Sequence, residues 1–195
     1  MRKKIISVVC FLLAVFVSHG IAADSAPFFF LQLSDPQFGF MDNNKSISAE
    51  TEAMNKAVTA INQLKPPFVV ITGDFVNNSK SKEQIAAYKS MIAQIDSSVK
   101  VYMIPGNHDI GKVSRASIDN YKKNSGETHF SFRYGDCAFI GIDSNIIKEE
   151  DKEREEVQFK WLEKELQKTK DARFKFVFTH CSVFLKRMDA PVNYS

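Results

Sequence analysis

The sequence predicts an α/β fold built on a mixed β-sheet that is parallel at its centre. Three observations carry that expectation. Short buried-strand runs alternate with amphipathic helical stretches through the first half of the chain. A hairpin pattern then appears in the second half. The strand runs also end in polar turn residues, as open α/β sheets do at their carboxyl edge. With 195 residues, 44% hydrophobic and 25% charged, the composition is that of one globular domain.

The opening segment is set apart from that domain. Arg2, Lys3 and Lys4 precede an apolar run from Ile5 to Val17, and small residues follow at Gly20, Ala22 and Ala23. A basic start, an apolar middle and small residues at a break read as a secretory signal peptide over residues 1–23, cut after Ala22 or Ala23. The expected domain is then 24–195, and the expected location is periplasmic or extracellular. An uncleaved anchor ranks second because the run is short for a bilayer, so no stable membrane anchor is expected after cleavage. Losing three of 26 basic residues leaves 23 against 23 acidic ones, a net charge of zero. Nothing in that balance suggests a nucleic-acid-binding surface.

Within the domain, Phe28 to Leu33 reads as the first strand, followed by a Ser-Asp-Pro turn. Ile47 to Leu64 carries Met54, Ala57, Val58 and Ile61 at helical spacing and stops at Pro66-Pro67. Phe68 to Thr72 is a second strand ending in Gly73-Asp74. Lys82 to Ile95 is a second helix, and Val101 to Ile104 a third strand running into Gly106-Asn107-His108-Asp109. This β-α-β-α-β order requires crossover helices and a parallel arrangement. Ser114 to Lys123 is a short helix. Thr128 to Tyr134 and Cys137 to Ile142 form a hairpin around Gly135-Asp136. Glu153 to Lys170 is an amphipathic helix, and Arg173 to Thr179 is a last strand ending in His180. Cys137 and Cys181 lie in apolar surroundings. Buried thiols are the default reading, with a disulfide left open.

Four strands therefore end in side chains able to hold a metal: Asp35, Asp74, Asn107 and His180. One such acid is an ordinary turn residue. Four in succession are a pattern. Asp35 and Gln37, two apart, point the same way if the chain is extended, and Pro36 keeps Asp35 out of a right-handed helix. Carboxylate, amide and imidazole ligands suit hard or borderline divalent ions such as Mn, Fe or Zn. Two such ions about 3.5–4 Å apart are a standard device for phosphate-ester hydrolysis.

Ser34-Asp35-Pro36-Gln37, Gly73-Asp74-Phe75-Val76-Asn77, Gly106-Asn107-His108-Asp109 and Phe178-Thr179-His180 resemble the first four ordered motifs of the calcineurin-like metallophosphoesterases. Gln158 to Glu163 is similar to that family's helix before the fourth motif. The resemblance implies an α-β-β-α sandwich of mixed sheets flanked by helices, the metallo-dependent phosphatase fold, here incomplete at its C-terminus. It also implies a hydrolase of phosphoric esters with two divalent ions and a metal-bridging hydroxide. Asp35 and Gln37 would hold the first ion and Asp74 would bridge. Asn107 and His180 would hold the second. His108 would face the phosphate as a catalytic group, and Asp109 would orient its imidazole.

Two departures accompany the match. The usual first motif is Asp-x-His, where this chain has Gln37, a neutral and weaker ligand, as in an Asp-Pro-Gln branch of the family. The fifth motif, Gly-His-x-His, is absent: outside the signal segment the histidines are His108, His129 and His180. The expectation is a truncated chain. A phosphomonoesterase is the first functional reading and a phosphodiesterase on nucleotides or lipid headgroups the second. An inactive fragment or non-catalytic binding module is the reading from another class. His129 reads as structural or surface, Trp161 as packing, Asn77 and Asn78 as turn residues, and Phe38 and Phe40 carry no assignment.

Overall fold

Val69 and Ile71 face one hydrophobic cluster while Phe68 and Val70 face another, and this alternation within a single strand organises the molecule. The computed structural model describes residues 26–183. The expected signal segment and the last residues of the chain lie outside them. Strand β1 (Leu31–Leu33) is followed by helix α1 (Ser48–Leu64), β2 (Phe68–Ile71), α2 (Lys82–Ile92) and β3 (Lys100–Met103). Then come α3 (Asn107–Ile110), α4 (Arg115–Ser125), β4 (Phe130–Tyr134), β5 (Cys137–Gly141), α5 (Asn145–Lys148), α6 (Lys152–Lys168) and β6 (Phe174–Phe178).

There are two sheets. The first has the order β1-β2-β3 and is wholly parallel, with Leu31 opposite Val69 and Phe68 opposite Lys100. The second has the order β4-β5-β6. Its hairpin β4–β5 is antiparallel, and β6 joins β5 in parallel with Cys137 opposite Phe174. Helices α1 and α2 cover the outer face of the first sheet, where Met54, Val58, Ile61 and Tyr88 pack with Val69, Ile71 and Phe75. On the far side, α6 meets the second sheet through Trp161, whose ring lies edge-on 4.3 Å from His129. The layers are thus helix, sheet, sheet, helix.

Phenylalanine fills the space between the sheets. Phe30 stacks on Phe68 at 5.1 Å, Phe132 on Phe139 at 5.0 Å, and Phe139 on Phe176 at 5.0 Å. Each such ring removed from water contributes roughly 1.5–3 kcal/mol, so this layer is what fixes one sheet against the other. No helix among the described residues is long and apolar enough to cross a membrane.

Several boundaries differ from the expected ones for local reasons. Only Leu31–Leu33 of the 28–33 run is hydrogen-bonded to β2, while Phe28 and Phe30 spend their side chains on the inter-sheet core. Helix α2 ends at Ile92 because Gln94 and Ile95 turn to i→i−3 bonds with Met91 and Ile92. At α6 the cap is Asp151, which accepts from the Arg154 amide at 3.2 Å and starts the helix at Lys152. Cys137 and Cys181 are free, buried thiols.

Candidate metal centre

The loops that leave β1, β2, β3 and β6 converge at one edge of the sandwich. The first two are zipped together: the amides of Asp35, Gln37 and Phe38 donate to the carbonyls of Gly73, Asp74 and Phe75 at 3.1, 2.8 and 3.0 Å. Both loops turn sharply there. Asp35, Gln37 and Asp74 have φ of 56°, 35° and 52°, in the left-handed region that ordinary residues avoid at a cost of roughly 1–2 kcal/mol each. The extended Asp-Pro-Gln segment expected from residue spacing is therefore not formed. Proline does keep Asp35 from right-handed helix, but the pairing with Gly73 and Asp74 bends the chain into a turn. Gly73 and Gly106 lie back to back, and a Cβ on Gly73 would come within 2.4 Å of the Gly106 nitrogen.

Asp35, Asp74 and His180 each bring a ligand atom within 4.8 Å of the others'. His180 Nδ1 lies 2.8 Å from the Thr72 carbonyl oxygen. A carbonyl only accepts, so Nδ1 carries the proton and Nε2 presents a lone pair in the neutral ring. That Nε2 faces two oxygens, Asn107 Oδ1 at 3.1 Å and Asp74 Oδ2 at 3.6 Å. Lone pairs converging from an imidazole, an amide and a carboxylate form the arrangement a cation satisfies. Burial raises the Asp74 carboxyl above its ordinary range, partly offset by the His108 amide, which donates to Asp74 Oδ1 at 2.8 Å, and by the nearby His180. A buried carboxylate placed this way gains from positive charge beside it. The residues present thus fit divalent cations by donor type and by geometry.

His108 is held differently from the expectation. Its Nδ1 lies 3.1 Å from the Asn77 carbonyl, so the proton sits there and Nε2 is the free ring atom. Asp109 does not orient this ring. Its carboxylate accepts instead from the amides of Phe75 at 2.8 Å, Val76 at 3.3 Å and Gly106 at 2.8 Å, tying the second loop to the third. The reason is steric: α3 begins at Asn107, and the first turn of a helix directs its third residue back at the free amides before it. Burial pushes the Asp109 carboxyl up to about 8, with the Asp74 charge contributing.

Gln37 connects to the same group. Its Nε2 donates to Asn77 Oδ1 at 3.3 Å, which leaves the amide oxygen as the end able to ligate. Asn77 Nδ2 in turn donates to Asn44 Oδ1 at 2.9 Å, and the Gln84 amide does the same from α2. Asn77 is thus more than a turn residue. Ser144 was also missed: its buried hydroxyl accepts from the amides of His180 at 3.2 Å and Cys181 at 2.8 Å. The polar run Asp143-Ser144-Asn145 after β5 was a legible signal, since it ends a fifth strand as the other four ends do. Gln158 on α6 clamps it by bonding both the amide and the carbonyl of Asp143, at 2.9 and 3.1 Å.

Beside Asp35 lies a pocket of about 470 Å³ between the first loop and α1, lined by Leu33, Met54, Ala53 and the exposed Phe40. Glu50 lines it too, one carboxylate oxygen accepting from the Met41 amide at 2.7 Å and the other buried with no partner.

Residues 30–192 match the sequence profile of the calcineurin-like phosphoesterases. The serine/threonine-protein phosphatase CPPED1 of Rattus norvegicus is 30% identical over 190 residues, 87% of this chain and 61% of the rat protein. Its Homo sapiens counterpart is 28% identical over 202 residues, 93% of this chain and 64% of that one. A probable glycerophosphodiester phosphodiesterase GpdQ of Arcobacter nitrofigilis is 31% identical over 133 residues, 66% and 47% of the two chains. Among solved structures, a dimetal phosphatase from Danio rerio overlays with a TM-score of 0.45 at 17% identity, over 60% of this chain and 44% of that one. The chain spans about three fifths of the length of the CPPED1 relatives it matches.

Proposed function

The chain belongs to the calcineurin-like phosphoesterase family, and from that membership we propose that it is a metal-dependent hydrolase of phosphoric esters, acting first on monoesters. The observation that carries the reading is the meeting of Asp35, Asp74 and His180 within 4.8 Å, with the Asn107 oxygen against His180 Nε2. In this reading two divalent ions, Mn, Fe or Zn, are held. Asp35 and Gln37 would hold one, Asn107 and His180 the other, and Asp74 would serve both. Bound there, the ions supply Lewis-acid activation of water and neutralise charge on the phosphoryl oxygens.

The protein's own groups do the rest. The Asn77 carbonyl fixes His108 as the Nδ1–H tautomer, so Nε2 is the atom turned to the ester. In its protonated form that atom donates to a phosphoryl oxygen and then gives its proton to the departing alkoxide. The His108 amide holds Asp74 Oδ1, so the catalytic ring and the central carboxylate share one rigid turn. Ser144 and the Thr72 carbonyl fix His180 from both sides.

Diester hydrolysis is the second reading, supported by the likeness to a probable glycerophosphodiester phosphodiesterase. Nitrophenyl phosphate and bis-nitrophenyl phosphate, offered to protein reloaded separately with Mn, Fe and Zn, separate the two. Faster release from the monoester is expected. A folded protein that retains no metal and cleaves neither ester would make a non-catalytic binding module the better description. Export belongs to the same proposal, supported by the basic, apolar and small-residue succession of residues 1–23. N-terminal sequencing of protein recovered from the periplasm or medium should begin at Ala23 or Asp24.

A further inference from the structure

A groove of about 1030 Å³ runs between α2 and α4. Lys80, Lys82, Lys89, Lys112 and Lys123 line it, all exposed, and the lining contains no Asp or Glu. Among the described residues none of the five lysines makes an ion pair, whereas Lys56, Lys65, Lys122, Lys152, Lys160 and Lys168 each do. Like charges gathered without counter-charges repel, so the groove favours an anionic occupant.

The groove also starts at the site. Ser79 and Lys80 follow Asn77, whose carbonyl holds His108, and Gly111 and Lys112 follow Asp109. The Asn120 side-chain amide of α4 donates to the Ser79 carbonyl at 3.2 Å, fastening the wall to that loop. We propose that this groove docks a carboxylate-rich stretch of polypeptide. The further step, that the stretch flanks a phosphoester on a protein substrate, rests on the hydrolase reading above.

Three features select a polypeptide over other polyanions. The lining has no aromatic residue, so it offers no platform on which the bases of a single strand could stack. It has no arginine, so it lacks the fork that grips phosphate in pairs, whereas lysines neutralise single carboxylates as point charges. It is a groove between two helices, lined also by Ile85, Ala86 and Ala116, a shape that admits an extended chain and not a lipid surface.

The test measures fluorescence anisotropy of a labelled oligoglutamate peptide with the whole chain at low ionic strength. Reversal of three charges, in Lys80→Glu/Lys112→Glu/Lys123→Glu, should weaken binding at least about tenfold, and added salt should weaken wild-type binding. Lys164→Glu, an exposed change on α6, should leave the affinity unaltered. All three side chains are solvent-exposed, and far-UV circular dichroism checks the fold. The milder pair Lys82→Gln/Lys89→Gln should weaken binding by a smaller factor in the same direction. Undetectable wild-type binding, or equal losses from Lys164→Glu and the triple reversal, overturns the proposal. So does tighter binding of oligothymidylate or phosphatidylserine vesicles through the same lysines. Nitrophenyl phosphate turnover by the same wild-type sample keeps the two ideas apart: peptide binding without turnover defeats the hydrolase and spares the groove, and turnover without peptide binding does the reverse.

Discussion

His108 and His180 each offer Nδ1 to a main-chain carbonyl, and this shared habit gives them opposite duties. At His180 the freed Nε2 lies against the Asn107 and Asp74 oxygens, while at His108 it makes no such contact among the described residues. Substituting His108, or the Asp74 carboxylate that His180 faces, should therefore fail differently. His108→Ala should keep its metal while turnover falls by roughly 10²–10⁴. Asp74→Asn should lose both metal and turnover, because the central carboxylate charge is gone. Metal analysis beside nitrophenyl phosphate rates reads both, and loss of metal from His108→Ala with normal turnover would reverse the assigned roles. The side chains of this site were legible because ligand chemistry is written in residue type at strand ends. Asn77 was not, since its contact to His108 is made by a carbonyl that every residue possesses.

At the level of the element, the third loop is organised by Asp109 and not by the histidine before it. Three amides from two loops share one buried carboxylate. Asp109→Ala strands them without partners, at a cost of roughly 3 kcal/mol. A melting temperature lower by about 10 °C is expected by circular dichroism, and an unchanged one would mean the loops are held elsewhere. Helices and strands were read closely from apolar period, with Phe68 to Thr72 and β2 nearly coincident. What the pattern could not convey was that β4, β5 and β6 form a separate sheet. Strand runs look alike whether their outer face meets a helix or another sheet, and only the layer of stacked rings reveals the second case. The resemblance to a known family supplied that architecture where periodicity did not.

For the molecule as a whole, two surfaces govern stability and solubility. Where α6 meets the second sheet, burial holds the His129 imidazole below its ordinary value of 6.5, with Lys122 acting the same way and Glu127 and Glu165 opposing. Between that depressed value and 6.5 the unfolded chain binds more protons than the folded one, so this group makes stability fall as pH drops. The urea midpoint should decline from about pH 7 to about pH 5, and less steeply in His129→Gln. An identical slope in the variant would remove His129 from the account. Among the described residues β6 ends its sheet, with Phe174 at 54% and Val177 at 48% exposure. An apolar edge of this kind pairs with other chains. Val177→Lys should reduce light scattering on storage at high concentration while leaving the circular dichroism spectrum as it was.

The bond from His180 to Thr72 joins residues 108 positions apart, whereas the first sheet is made from neighbouring strand-helix-strand units. Short-range units of that kind form early and long-range ones late. Among the described residues the centre is therefore completed only when β6 has docked beside β5. A chain emerging from synthesis holds Asp35, Asp74 and Asn107 in their loops well before it holds the imidazole. Capture of a metal ion at this centre would then report that β6 has docked beside β5.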